Sequence, residues 1–174
     1  MLGLVLLYAA MALISNGIAR LCFIDRRSQS VINIFVGSLS LICNIVIMIH
    51  GKFSDNNADF YSAATGLLFG FTYLYIGING IFNLDQRLYA WYCLFVTINS
   101  IPIGLYALLY SDITETYNWF FAVMWWSWGA IWLTAWIETV YKKPLGKFVG
   151  YASIFEGIFT AWIPGVLLLT GLWH

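Results

Sequence analysis

The chain has 174 residues, of which 61% are hydrophobic and 9% charged, with a mean hydropathy of +0.81. A soluble domain carries about 25% charged residues because water must solvate its surface, so this composition excludes water as the main solvent. Lys plus Arg equals Asp plus Glu at eight each, so no excess charge points to nucleic acid or an acidic macromolecule as partner.

A membrane-spanning helix needs about 20 mostly apolar residues. Six segments meet that length: 2–19, 31–50, 64–82, 88–110, 119–140 and 148–173. The expected fold is an all-α membrane protein, a single polytopic unit over residues 1–174 with no room for a second, soluble domain. The first segment follows no basic stretch and stays apolar to Ile18, which favours a retained helix over a cleaved signal peptide. Within it Leu2, Leu6, Ala9 and Leu13 share a helical face, as Phe71 and Tyr75 do one turn apart on the third, and both spacings are equally common in packed cores. Asn44 and Asn99 sit inside the second and fourth segments.

The fifth segment is the most informative. Trp125, Trp128, Trp132 and Trp136 recur at spacings of three, four and four, which confines their indoles to a stripe of roughly 80° on a helix turning about 100° per residue. Tryptophans that anchor a protein to lipid gather at the interfaces, whereas this stripe runs through the span. It fits the wall of a pathway and an aromatic seam between helices equally well. Glu138 closes the segment, four residues before Lys142, at a spacing that suits an ion pair. In the sixth segment Glu156 lies several residues into the apolar run. An ionisable group there costs at least about 2.5 kcal/mol unless it faces protein or water, so it marks a pathway or a bond to a neighbouring helix.

Charge gives the orientation. Seven of the eight basic residues, Arg20, Arg26, Arg27, Arg87, Lys142, Lys143 and Lys147, fall in the first, third and fifth connectors, and only Lys52 lies elsewhere. The positive-inside rule makes those connectors cytoplasmic and both termini external. The opposite face carries Asp55, Asp59, Asp112 and Glu115, with His50 and His174 nearby. Gly3-Leu4 and Asn16-Gly17 match Gly66-Leu67 and Asn79-Gly80 at one offset of 63, which predicts three repeated hairpins. Such repeats often surround a translocation path, although duplication for packing alone gives the same pattern.

No enzyme constellation is legible: HExxH, GxSxG, the P-loop and GxGxxG are all missing from the sequence, and no cofactor or metal is expected. Cys22, Cys43 and Cys93 lie in or beside apolar runs without CxxC spacing and read as packing residues.

The stretches Met1 to Tyr8, Thr65 to Tyr75, Trp132 to Ala135, Pro144 to Phe148 and Glu156-Gly157 followed by Thr160 to Pro164 together make the chain similar, nearly end to end, to the UreI/AmiS family of urea channels and amide transporters. The resemblance implies six helices per protomer, a homohexameric ring with one pore in each protomer, and a passive route for urea, or for short-chain amides, across a bacterial inner membrane to a cytoplasmic urease. It places the lining on Leu2, Leu6, Leu13, Phe71, Tyr75, Trp125, Trp128, Ile131, Trp132 and Glu156. Ile131 and Ala9 stand where the acid-gated member has leucine and valine. The gated member also has longer, histidine-bearing outer loops, so acid gating is expected to be weak or absent here; the competing expectation is a gating cluster of His50, Asp55, Asp59, Asp112, Glu115 and His174. A membrane scaffold that recruits urease through its basic connectors is the alternative of another class.

Overall fold

The structure is a computed structural model that describes residues 1–110 and 115–173; of Glu115 only the backbone is described. Asp112 and His174 therefore lie outside the described residues, as does the Glu115 side chain. The elements, in order, are α1 (Leu2–Leu21), α2 (Arg26–Ser54), α3 (Asn57–Phe82), α4 (Arg87–Tyr110), α5 (Glu115–Thr139), α6 (Phe148–Glu156), a π-helical segment (Gly157–Trp162) and α7 (Ile163–Leu169). The last three run on as one sixth span, Phe148–Leu169, and all six spans are long and apolar enough to cross a membrane.

Several helices extend past the apolar limits expected from sequence, because capping side chains carry them on into polar residues. The Asp25 carboxylate accepts the Arg27 and Ser28 amides at 3.0 and 3.2 Å, starting α2 five residues before Val31. Asn56 does the same for α3 by accepting the Ala58 amide at 3.0 Å. These caps satisfy amides that the first turn of a helix leaves without partners. Only Asp55, in left-handed conformation at φ 51°, and Asn56 separate α2 from α3. At 1.5 Å per residue the 29 residues of α2 reach about 43 Å, well past a hydrocarbon layer of about 30 Å.

The tight helix pairs are α2 with α3, α4 with α5, and α1 with the sixth span. The contacts between chain neighbours α1 and α2, α3 and α4, and α5 and α6 are looser, so the three repeated hairpins expected from the offset of 63 are not shown by the packing. Small residues explain the pairing, since helices in lipid approach most closely where side chains are missing. A Cβ on Gly17 would stand 2.6 Å from the Gly150 carbonyl oxygen, and one on Gly66 would stand 2.1 Å from the Asn44 amide oxygen. The offset of 63 runs on from Gly3 and Gly66 to Gly129, which meets Ser100 of α4 as Gly66 meets Asn44 of α2. The duplicated glycines thus mark contacts with α7, α2 and α4 in turn.

The core gathers Leu6, Ala9 and Ala12 of α1, Phe69 and Tyr73 of α3, Cys93 and Val96 of α4, and Met124, Trp125, Trp128 and Trp132 of α5. Phe35, Ile42, Trp91, Phe95, Tyr151 and Phe155 instead project outward from α2, α4 and α6, as expected where the solvent is hydrocarbon.

Candidate functional site

Of the four stripe tryptophans on α5, Trp125, Trp128 and Trp132 form a buried wall. Phe69 inserts among them, with ring centroids 5.4 Å from Trp125, 4.7 Å from Trp128 and 4.8 Å from Trp132. The indole N–H of Trp128 donates to the Thr160 hydroxyl at 2.7 Å, and that of Trp132 donates to the Thr72 hydroxyl at 3.0 Å. Each threonine in turn donates to a backbone carbonyl of its own helix, Thr160 to Glu156 at 2.6 Å and Thr72 to Leu68 at 2.7 Å. Both indoles are therefore held by fixed polar chains and present their rings, not their N–H groups, to the interior. Trp136 stands apart, edge-on to Trp91 at 5.8 Å and Tyr141 at 4.9 Å.

Glu156 lies where α6 passes into the π-helical segment. π-helical turns often occur at functional sites because the wider coil displaces backbone and side chains from the regular register. The Glu156 side chain is 7% exposed, and its Oε2 has no hydrogen-bond partner among the described residues. It faces a cavity of about 480 Å³ shared with Leu13, Phe69, Trp128, Ile131 and Trp132. The cavity extends from this aromatic end to the basic end of the bundle, where Asn16, Arg20, Arg26, Gln29, Gln86 and Glu138 line it.

Of the lining expected from sequence, Leu13, Trp128, Ile131, Trp132 and Glu156 border this cavity. Leu6 and Trp125 are buried beside it in the core, and Leu2 is 43% exposed at the acidic end. Phe71 and Tyr75 fall elsewhere: Phe71 is 46% exposed, and Tyr75 meets Tyr89 edge-on at 5.3 Å and Tyr92 at a tilt at 6.1 Å. The third helix meets the tryptophans through Phe69 and Tyr73, two residues earlier. Two residues turn a helix by about 200°, which points Phe69 and Tyr73 at the core, Phe71 outward and Tyr75 toward the tyrosines of α4. Thr72 and Thr160, which tether the indoles, also escaped the sequence reading; each follows a carbonyl by four residues on the tryptophan-facing side, but that signal is too common to single them out.

Among the candidate gating residues, His50 Nδ1 and Asp59 Oδ2 meet at 2.6 Å across the short α2–α3 connection, with Ser54 donating to the His50 carbonyl at 2.6 Å. Asp55 occupies the exposed C-cap of α2. Glu138 does not pair with Lys142, because α5 ends at Thr139 and Lys142 has already left helical conformation at φ 54°. It binds Arg20 of α1 instead and accepts the Leu145 amide at 2.9 Å.

A bundle of six membrane spans that packs a ring wall along a largely apolar cavity with a polar end fits a multi-pass channel or transporter. The chain belongs to the AmiS/UreI family of transporters, which it matches over residues 1–172. It is 47% identical to the acid-activated urea channel of Helicobacter pylori, covering 99% of this chain and 100% of that one. A Rhodococcus erythropolis protein named for the transporter role AmiS2 is 35% identical, over 97% of this chain and 79% of its own. A Mycolicibacterium smegmatis protein named for transport of amidate substrates is 32% identical, over 99% and 78%. The cryo-EM structure of the H. pylori urea channel in a closed state superposes with a TM-score of 0.91 at 48% identity, covering both chains completely. These relatives are channels or transporters, not enzymes.

Proposed function

We propose that this protein is a passive urea channel whose narrowest part is the Phe69–tryptophan wall beside Glu156. The observation that carries the reading is the pairing of satisfied indoles with one unsatisfied carboxyl oxygen facing the cavity. Urea is flat, neutral and strongly dipolar, so it can slide between ring faces while one of its N–H groups donates to Glu156 Oε2. The committed Trp128 and Trp132 N–H groups leave the rings as guides rather than donors. An ion desolvated in the same place loses its hydration without gaining a partner, at a cost of many kcal/mol. The chain carries no nucleotide-binding motif, consistent with downhill flow.

The basic connectors orient the bundle with its cavity toward the cytoplasm and both termini outside, in a bacterial inner membrane. In this setting the channel supplies a cytoplasmic urease and assembles as a homohexamer with one pore per protomer. Acid gating is weak or absent. The alignment with the acid-activated relative spans 196 positions against 174 residues here, leaving at least 22 without a counterpart. At the acidic end α2 and α3 are joined by two residues only. Little chain remains there to move. The name of the relative at 32% identity, which gives amidate substrates, favours short-chain amides as a second cargo.

Urea uptake into proteoliposomes at neutral and mildly acid pH tests the reading. Wild type takes up urea rapidly at both pH values, Glu156→Gln slows it severalfold, and Trp132→Ala alters it. Flux rising severalfold in acid would sink the ungated reading, and no flux at either pH would sink the channel itself. Inhibition of urea flux by acetamide supports the wider cargo.

A further inference from the structure

The cavity has a second polar end, remote from the tryptophans. On α1, Asn16 and Arg20 lie one turn apart and both line it. The Asn16 and Asn33 carboxamides bond reciprocally: Asn16 Nδ2 donates to Asn33 Oδ1 at 3.0 Å, and Asn33 Nδ2 donates to Asn16 Oδ1 at 2.7 Å. Gln29 Nε2 adds a third bond to Asn16 Oδ1 at 2.9 Å, and Asn33 is wholly buried behind them. One turn on, Arg20 Nε donates to the Gly146 carbonyl at 2.9 Å while its guanidinium binds Glu138. Glu138 Oε1 also accepts the Leu145 amide at 2.9 Å. Two planar networks, one of amides and one of guanidinium with carboxylate, thus stand side by side at the basic mouth.

The donor and acceptor inventory shows what remains for a ligand. Asn16 Oδ1 is filled by two donors, but one Asn16 N–H is left over. Gln29 Oε1 and Glu138 Oε2 accept no hydrogen bond within the described protein, and the guanidinium keeps N–H groups beyond those it uses. The surplus is a set of fixed donors and acceptors in planar groups. A small amide, which carries a carbonyl acceptor and N–H donors in one plane, is complementary to such a set. A polyol, whose hydroxyls point out of any common plane, is not. Arg20 and Glu138 compensate each other, and Arg26 on the same rim leaves the mouth with a positive charge that disfavours a cation.

We propose that Asn16, Gln29, Arg20 and Glu138 form a binding station for small neutral amides at the basic mouth of the cavity, separate from the tryptophan wall. It rests on the transport reading for its setting, and it makes selectivity for amides a property of two sites in series. The anchor is rigid: Asn33 and the Gly146 and Leu145 backbone fix three of the four side chains, so binding an amide requires little reordering.

The experiment has a flux arm and an equilibrium arm. In proteoliposomes, initial urea flux against urea concentration saturates for wild type. Gln29→Leu, which leaves the Asn16–Asn33 pair in place, raises the half-saturating concentration about fivefold, the effect of losing one neutral hydrogen bond, and lowers the urea-to-glycerol flux ratio. Arg20→Lys, which keeps the charge but cannot span Gly146 and Glu138 together, shifts both in the same direction. In detergent, saturation-transfer NMR with acetamide detects binding that weakens by a similar factor in Gln29→Leu and persists in Trp132→Ala. Half-saturation and flux ratio unchanged in both folded variants, or acetamide binding indifferent to Gln29, overturns the station. Absent urea flux in wild type with acetamide binding intact condemns the channel reading and leaves the station standing.

Discussion

Phe69 shows how much a single position decides. It touches three indoles from α3, whereas Phe71, two residues on, looks outward. Phe69→Ala removes a ring from a buried cluster and should cost about 3 kcal/mol of packing, read as a lower melting temperature in detergent, and should change urea flux. Phe71→Ala should leave flux within a factor of two. Equal effects from the two substitutions would place the path elsewhere. The tryptophan stripe was legible in the sequence because its spacing is unambiguous on a single helix. The register of α3 was not, because its segment is aromatic on two opposed faces: Phe69 and Tyr73 share one, Phe71 and Tyr75 the other, and only the partner helices choose between them. The threonine tethers were equally hidden, since Trp132 and Thr72 are 60 residues apart. At the edge of the membrane, Asp85 caps α4 and binds Arg87, whose side-chain hydrogen bond holds its carboxyl below the ordinary carboxylate range. The folded form thus prefers the ionised carboxyl, so whatever stability this exposed cap lends is present at neutral pH and lost as pH falls through its depressed range.

At the scale of elements, the number of spans and their rough positions follow from apolar length alone, and the structure adds residues at the capped ends. Pairing could not be read the same way. The closest contacts follow the glycines, and a glycine in an apolar run says only that something approaches, not what. Gly17 and Gly146 separate the two reasons for a glycine. At Gly17 a methyl group would meet the Gly150 backbone at 2.6 Å, so Gly17→Ala must push α1 from α6 and should cost about 1–3 kcal/mol. At Gly146 nothing lies within 4 Å, but φ is +59°, so Gly146→Ala should cost only about 1 kcal/mol of backbone strain. Thermal unfolding in detergent ranks the two. A larger loss at Gly146 would mean that the Arg20 anchor on its carbonyl governs stability more than helix contact does.

At the scale of the whole molecule, the arrangement joins an aromatic wall, proposed above as the waist of the path, to a largely apolar cavity and a basic rim along one bundle. The proposed permeant has a charged double: guanidinium shares urea's flat trigonal shape and nearly its size but carries one positive charge. A pathway that selects by size and hydrogen bonding alone passes both. One that selects against desolvated charge passes urea and blocks guanidinium, because the waist offers ring faces around a single carboxyl group and no shell of oxygens to replace lost water. Ring faces do attract cations, by about 0.5–2 kcal/mol each, and Glu156 adds to that attraction. Both remain small beside the cost of stripping hydration from an ion in a dry constriction. Guanidinium flux in proteoliposomes should therefore fall at least a hundredfold below urea flux under the same gradient, and Trp132→Ala, which opens the waist to water, should narrow the gap. Comparable fluxes in the wild-type protein would mean that the path is wet throughout, and that the Phe69–tryptophan wall lies beside it rather than across it.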